Sequence, residues 1–393
     1  MPQSGVRFSS RTPADLTPSR LARVREAAGE VPFDLTVSNP TAAGIAYPEG
    51  LLAPLASPAG LAYAPDPRGL ASAREAVAAE YARLGIAVDP GRIVLTASTS
   101  EAYAFAFKLL CEPGEHVLVP CPSYPLFEHL ARVEGVEAVP YRLDADAAWR
   151  VELADVAAAP ADTRAVIVVH PNNPTGSHVH PDDAAALSCE CRRRGAALVA
   201  DEVFLPYPLD EVAPPARSFA AASDALTFTL GGLSKSVGLP QLKVGWIVVS
   251  GPENEVAEAL DRLAFVADTF LSVATPAQLA LPRLLAEGRS VRDAIATRCR
   301  GNLRALGEAV RSLPELTLLA PEGGWSAVVR YPAVVDEEEL AVELLRRDGV
   351  AVQPGYFYDF SRPGHLVVSL LPPGPVFAAG LERLLERLRA HLA

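Results

Sequence analysis

Lysine is nearly absent from this chain. Of 35 basic residues among 393, only Lys108, Lys235 and Lys243 are lysines. An arginine stays protonated and forks its donors, whereas a desolvated lysine can lose its proton and attack a carbonyl. A chain that draws its positive charge from arginine keeps lysine where an amine is needed. Positive charge is itself in short supply. The formal net charge of −12 excludes a phosphate backbone as a partner, which would require a basic face. The one tight basic run, Arg192, Arg193 and Arg194, falls at the end of a predicted helix, where cations suit the dipole. It reads as a solvated helix end. The five cysteines, at 111, 121, 189, 191 and 299, form no CxxC pair and have no histidine at zinc spacing. Such a scattered set speaks against a disulfide framework and fits a reducing cytoplasm. Nothing approaches the roughly 20 unbroken apolar residues of a membrane span. The opening MPQSGVRFSSRTPADL has no apolar core and is not a secretory signal. A soluble, cytoplasmic protein is expected.

What the sequence has in quantity is apolar surface. Half of its residues are apolar and 21% are charged, so a large buried core is expected. The length suits two domains. No internal repeat or low-complexity linker divides the chain, and its 36 prolines punctuate loops. The patterning predicts helices over 18–28 and 70–84, then a short strand over 92–96 that turns into a helix over 102–110. A strand follows over 116–119. The purely apolar run 165–169 reads as a buried parallel strand. A helix over 181–194 then crosses to a strand over 196–200. An apolar run over 225–230, a strand over 246–250 and helical stretches over 254–283 come next. Residues 290–393 read as a separate α/β unit, with helices over 291–311, 337–348 and 376–392 and strands over 316–320, 327–331 and 365–371.

Candidates for chemistry fall at the ends of these elements. Lys235 follows a small turn containing Gly231, Gly232 and Ser234, which leaves room for a flat ligand beside it. Asp201 sits at the carboxyl edge of its strand, where open α/β sheets put their ligands. The tetrapeptide NPTG, 173–176, closes the stretch after the buried strand. At 97–101 a run of hydroxyls opens a helix. Such groups either cap free backbone N–H groups or, with the positive end of the dipole, bind a phosphate. Tyr63 lies in YAPDPRG, Tyr124 in PCPSYPLF, Ser38 in a Ser-Asn-Pro turn, and four aromatics including Tyr356 in PGYFYDF. Taken singly, each of these reads equally as packing or as an ordinary turn.

As an ordered set, Tyr63, Ser98–Ser100, Tyr124, NPTG, Asp201 and Ser234–Lys235 resemble the fold-type I, pyridoxal-phosphate-dependent aminotransferases of class I and II. The resemblance runs from Ser38 to the last helix. It implies an α/β fold like that of aspartate aminotransferase. An N-terminal arm (1–45) would join the small domain. A large cofactor-binding domain (46–288) would hold a mostly parallel sheet sandwiched by helices, and a smaller α/β domain (289–393) would follow. In the family the lysine matching Lys235 bonds pyridoxal 5′-phosphate covalently. The residue matching Asp201 pairs with the pyridine nitrogen, Asn173 donates to the phenolic oxygen, and Tyr124 stacks on the ring. Ser98, Thr99, Ser100 and Ser234 lie about the phosphate. Tyr63 reaches the phosphate of a neighbouring subunit, which implies a homodimer with shared sites. The implied activity moves an amino group between an amine or amino acid and a keto acid. The same lysine also serves lyases, by β-elimination or decarboxylation. A non-catalytic, pyridoxal-phosphate-binding regulator would need a DNA-binding domain ahead of Pro40, and no basic recognition helix is found there.

Three departures bear on the substrate. The family's tyrosine, three residues after the aspartate, is here Phe204, so the ring oxygen loses one donor. A hydrogen bond to a charged form favours that form, so a raised pKa of the cofactor–lysine bond is expected. The family's phosphate-binding arginine, eight residues after the lysine, is Lys243. Lysine still neutralises phosphate, as a point charge rather than a fork. The arginine that clamps the substrate's α-carboxylate falls, aligned on Ser369, at Val367. An apolar residue cannot hold a buried carboxylate. Either the substrate has no carboxylate there, or another cation, Arg362 or Arg217, takes over. Ser38, which stands where the family has glycine, joins Tyr356 and Val367 as a candidate substrate-facing residue.

Overall fold

The computed structural model describes residues 6–210, 217–222 and 224–392, and its centre is an eight-stranded sheet. Its strands are β1 (Ile93–Thr96), β2 (His116–Cys121), β3 (Glu137–Asp144), β4 (Arg150–Val151), β5 (Thr163–Val169), β6 (Ala197–Asp201), β7 (Thr227–Gly232) and β8 (Gly245–Ser250). They lie in the order β1-β8-β7-β6-β5-β2-β3-β4. The run from β7 through β6, β5 and β2 to β3 pairs in parallel, while β8 and β4 pair antiparallel with their neighbours.

The apolar run in β5 shows why the centre forms. Ala165, Ile167 and Val169 point into one buried cluster, with Phe105 and Leu263 of the helices Thr99–Leu110 and Glu253–Phe270. Val166 and Val168 point into another, with Leu187 and Cys191 of the helix Pro181–Arg194. A strand covered on both faces has no polar side to alternate with, which is how the sequence identifies it. Each buried valine or leucine contributes about 1.5–3 kcal/mol relative to exposure. A four-stranded antiparallel sheet orders Thr317–Leu319, Ser326–Arg330, His365–Ser369 and Gln353–Pro354. The early residues Phe33–Asp34 pair in parallel with Val350–Ala351, and the Ser369 hydroxyl donates to the carbonyl of Val37. Residues near the start of the chain are thus fastened to its last quarter. Among the described residues no helix is long and apolar enough to cross a membrane, and all five cysteines are free.

The sequence expectations need correcting at several places. The helix expected from 102 begins at Thr99, because Ser98 is its N-cap and accepts from the Glu101 N–H at 3.1 Å. The helical stretches expected over 254–283 are there as the two helices Glu253–Phe270 and Thr275–Glu287, separated where Leu271 turns left-handed at φ 47°. Strand β3 and the helix Phe127–Glu134 were absent from the expectations. β3 is half exposed and carries Pro140, which hides a strand in a sequence. The expected helix over 337–348 ends as a wide turn over Leu344–Asp348.

The arginine run is also not simply a solvated helix end. Arg194 is 7% exposed and donates to the carbonyls of Val156, Ala157, Ala159 and Pro160, while its Nε meets Glu190 at 2.6 Å. It caps the C-terminal end of the short helix Leu153–Ala157 through Val156 and Ala157, and holds the turn after it through Ala159 and Pro160. Arg192 is exposed and does none of this. Arg194→Met should lower the free energy of unfolding in urea by about 1–3 kcal/mol, and Arg192→Met by under about 0.5 kcal/mol. Equal effects would mean that the carbonyl contacts contribute nothing.

Candidate active site

The carboxyl ends of β2, β5, β6 and β7 carry the residues that the sequence singles out. Lys235 lies in the one-turn helix Leu233–Ser236, directly after β7. The approach to it is built from glycine for a steric reason. A Cβ on Gly231 would stand 2.4 Å from Trp246 Nε1, and one on Gly232 would stand 3.1 Å from the Val244 carbonyl oxygen. The Lys235 ammonium lies against two rings, 5.0 Å from the centre of Trp325 and 5.7 Å from that of Phe204. Among the described residues it has no hydrogen-bond acceptor. Burial lowers its pKa, and the charge of Asp201 opposes that shift.

Asp201 ends β6, the neighbour of β7. Its Oδ1 accepts from the Val203 N–H at 3.1 Å and its Oδ2 from the Tyr103 hydroxyl at 3.2 Å. The residue keeps some surface open, yet its carboxyl is ringed closely enough for burial to push it up to about 6. The two hydrogen bonds and Lys235 pull the other way. Tyr124, 45% exposed after β2, has its phenol raised by burial and by the charge of Asp201. Lys235, Asp201, Tyr124 and Phe204 thus form one group.

The stretch after β5 assigns its two asparagines different work. Asn172 is buried and bonds the Ser123 hydroxyl, the Pro122 carbonyl and Thr175 Oγ1 at 2.8, 3.0 and 2.9 Å. Asn173, next to it, is partly exposed and its side-chain amide is uncommitted among the described residues. Gly176 holds φ 69° with its Cα packed on the 321–323 loop, where a Cβ would meet Pro321 Cβ at 2.3 Å. That loop leads to Trp325.

At the start of the helix Thr99–Leu110 the two readings of the hydroxyls divide. Ser98 is the cap, whereas Thr99 and Ser100 sit in the first turn with their hydroxyls free of such a bond. Glu101 turns back to accept from the Ala97 N–H at 2.6 Å. Gly245, at the start of β8, packs against this point, and a Cβ there would stand 3.0 Å from the Ser98 carbonyl carbon. Ser234 is partly buried, one residue before Lys235. Lys243 is exposed, with φ 51°. Tyr63 is 81% exposed. Ser38 is exposed as well.

The loop 354–360 divides too. Tyr358 is buried with Trp149, Leu319, Val328 and Val367, and Phe357 and Phe360 pack on that cluster. Tyr356 faces outward, its hydroxyl 3.3 Å from Glu338 at a hollow lined by Asp336 and Arg362. Val367 is 1% exposed. Of the cations considered as replacements for a clamp, Arg362 meets Asp146 at 3.2 Å on the surface, and Arg217 is exposed. No contact among the described residues ties Tyr356, Lys243, Tyr63 or Ser38 to the group around Lys235. Sequence reasoning missed Tyr103 and Trp325. The Gly323–Gly324 pair before Trp325 was the one local signal for the latter.

Comparison with known proteins agrees over almost the whole chain. A family model described as "Aminotransferase class I and II" matches residues 27–388. An alanine aminotransferase of Mycobacterium tuberculosis is 27% identical over 390 residues, covering 96% of this chain and 90% of that protein. A capreomycidine synthase of Streptomyces vinaceus is 32% identical over 309 residues, covering 77% of this chain and 76% of that protein. Among solved structures, a mutant aspartate aminotransferase of Thermus thermophilus superposes with a TM-score of 0.84 at 24% identity, covering 98% of this chain and all of that one.

The raised carboxyl of Asp201 sets a pH dependence. The folded chain holds this proton more tightly than the unfolded chain, whose value is 3.8. Its contribution is therefore fully present below about pH 4 and is lost as pH rises through about 6. In the cofactor-free protein, Asp201→Asn should gain on the order of 1–2 kcal/mol of stability relative to wild type as pH rises between those limits. Paired urea melts across the range check this. A difference that does not vary with pH would mean that the carboxyl titrates elsewhere.

Proposed function

The chain belongs to the aminotransferase class I and II family, and on that footing we propose that it is a pyridoxal-phosphate-dependent transferase. It moves an amino group between an amine or amino-acid donor and a keto acid. The observation that carries this reading is the pairing of Lys235 and Asp201. A buried amine with a lowered pKa and a carboxyl raised to about 6 stand at the ends of adjacent strands, and each feels the other's opposing charge.

The residues fit the cofactor. Asp201 has a carboxyl whose hydrogen bonds leave it short of a full counter-charge, as suits a protonated ring nitrogen. Asn173 offers an uncommitted amide, and Tyr124 an exposed ring. Gly245 leaves open the space between the helix start at Thr99 and the end of β7, where free N–H groups and the dipole suit a phosphate. In this reading Thr99, Ser100, Ser234 and Lys243 hold the phosphate, and Ser98 fixes the helix start. When bound, pyridoxal phosphate supplies an electron sink for the carbanion left as the substrate's Cα proton departs. Lys235 would hold it, and its amine would carry that proton as a general base and acid. Trp325 and Phe204 keep water from the amine.

Two features narrow the substrate. Val367 is sealed in an apolar cluster with Trp149 and Tyr358, and Arg362 is engaged with Asp146. The substrate therefore presents no carboxylate at position 367, and Ser38 and Tyr356 are assigned to the outer part of its path. Tyr63, Leu61 and Phe265, exposed by 81%, 91% and 77%, support a homodimer in which Tyr63 serves the partner's site. Sedimentation at the mass of a single chain would remove Tyr63 from that role. A second reading is a lyase acting through the same Lys235, by β-elimination or decarboxylation.

The absorption spectrum of purified protein tests the proposal, recorded alone and against α-amino acids and amines lacking an α-carboxylate. We expect a band from lysine-bound cofactor that is lost in Lys235→Ala and is converted by the amines without the carboxylate. No band after adding pyridoxal phosphate would overturn the cofactor reading. Conversion only by α-amino acids would mean that another cation replaces the clamp. Keto acid released with the band unchanged would establish the lyase reading instead. Separately, Tyr207 does not replace the phenol missing at Phe204, because its hydroxyl is engaged by the Lys235 carbonyl. Phe204→Tyr should therefore lower the pKa of the cofactor–lysine bond by roughly 1 unit, the equivalent of one hydrogen bond. An unchanged spectroscopic titration would sink that account.

A further inference from the structure

Behind the turn that carries Lys235 lies a buried arginine to which the proposed chemistry gives no part. Arg292, on the helix Arg289–Val310, is 12% exposed and donates through Nε to the Ser236 carbonyl at 2.7 Å. Its Nη2 lies 2.6 Å from Glu80 Oε1 on the helix Ala71–Arg83, and Glu80 is 6% exposed. Arg83 pairs with the same carboxylate from its outer side. Burying such charges is costly, and an apolar pair would often fill the space with equal or better stability. What an apolar pair cannot do is hold a carbonyl in a fixed place. A guanidinium can, because it donates to the carbonyl through Nε while its charge lies against the carboxylate.

The turn is held at two further points. The Tyr207 hydroxyl donates to the Lys235 carbonyl, and the Tyr47 hydroxyl donates to the Gly238 carbonyl at 2.6 Å. Three backbone oxygens within four residues are thus fixed by side chains from positions 47, 207 and 292. The two tyrosines are neutral and well packed. Only Arg292 requires a buried counter-charge to be there at all.

We infer that Arg292, anchored by Glu80, is a positioning residue for Lys235: it fixes the Ser236 peptide and so the point from which the lysine amine reaches between Phe204, Trp325 and Asp201. The inference rests on the reading of Lys235 as the working amine. Losing the anchor lets the turn drift, and a displacement of about 1 Å at a reacting group can cost on the order of a hundredfold in rate.

The test uses the full-length enzyme and three variants, Arg292→Lys, Arg292→Met and the double variant Arg292→Met with Glu80→Gln. The double variant removes both charges and so avoids leaving a lone buried carboxylate. Thermal melts establish folding. The side-chain titration of Lys235 is followed by NMR in cofactor-free protein, with Lys108 and Lys243 as internal references, and kcat and KM are measured on the loaded enzyme. We expect the double variant to fold, Lys235 to titrate nearer the ordinary lysine value, and kcat to fall on the order of tenfold to a hundredfold with KM within about twofold. Arg292→Lys, which keeps a donor and a charge, should fall between it and wild type. A folded double variant with the Lys235 titration unmoved overturns the inference, whatever kcat does. If the double variant does not fold, the same two outcomes are read from Arg292→Lys. An active Lys235→Arg enzyme would instead overturn the role of Lys235, while the titration would still report on the anchor.

Discussion

The site depends on placing an amine and a carboxyl at the ends of adjacent strands, each buried and each within the other's field. Burial pushes Lys235 and Asp201 each toward its neutral form, and the charge of each pulls the other back. Neither effect is decisive alone. In water the two charges would be screened and ordinary. In a dry core without each other they would cost several kcal/mol apiece. The fold places them between these limits, at the carboxyl ends of two parallel strands whose interiors are buried. The same strands that form the core therefore also fix where the two groups stand relative to each other.

That arrangement explains which parts were legible in the sequence. β5 could be read because covering both faces leaves no polar alternation, and the helix Pro181–Arg194 because Gly195 ends it in the left-handed region. Lys235 and Asp201 stood out because each falls at the end of a strand, and the structure gathers both with Tyr124. Ser98 was legible as a helix-starting hydroxyl, but whether it caps or binds could be decided only from the Glu101 N–H that it accepts. β3 was not legible, because an edge-like strand carrying Pro140 has the composition of a loop.

What escaped the sequence were contacts across long separations. Trp325 reaches Lys235 from 90 residues away, Arg292 holds Ser236 from 56 residues away, and Glu80 meets Arg292 across more than two hundred. No local period or cap marks such residues, since their role is set by what the fold brings beside them. Arg194 teaches the same lesson on the surface. Its neighbours in sequence are solvated, yet it holds the end of another helix and the turn after it through four carbonyls.

The departures from the family share one direction. In the proposed function, Phe204, Lys243 and Val367 each stand in for a group that would grip cofactor or substrate, and each would grip less or not at all. Lys235 and Asp201, to which the proposed function gives the work on the reacting bond, keep the residue types of the family. This division follows from what each kind of residue does. Altering the reacting pair would raise the barrier for every substrate, whereas altering the grip changes which substrate gains most from binding. A chain can therefore drift far in its outer contacts while its chemistry stays fixed, and the fold alone says little about what is bound. At Val367 the change is consolidated rather than isolated. Trp149, held at φ 63° despite its bulk, packs with Tyr358 over the same spot. A left-handed tryptophan is strained, and such strain persists only where the surrounding packing holds it. The apolar wall at 367 is thus a cooperative unit of several residues, and restoring an arginine there would require moving the tryptophan as well.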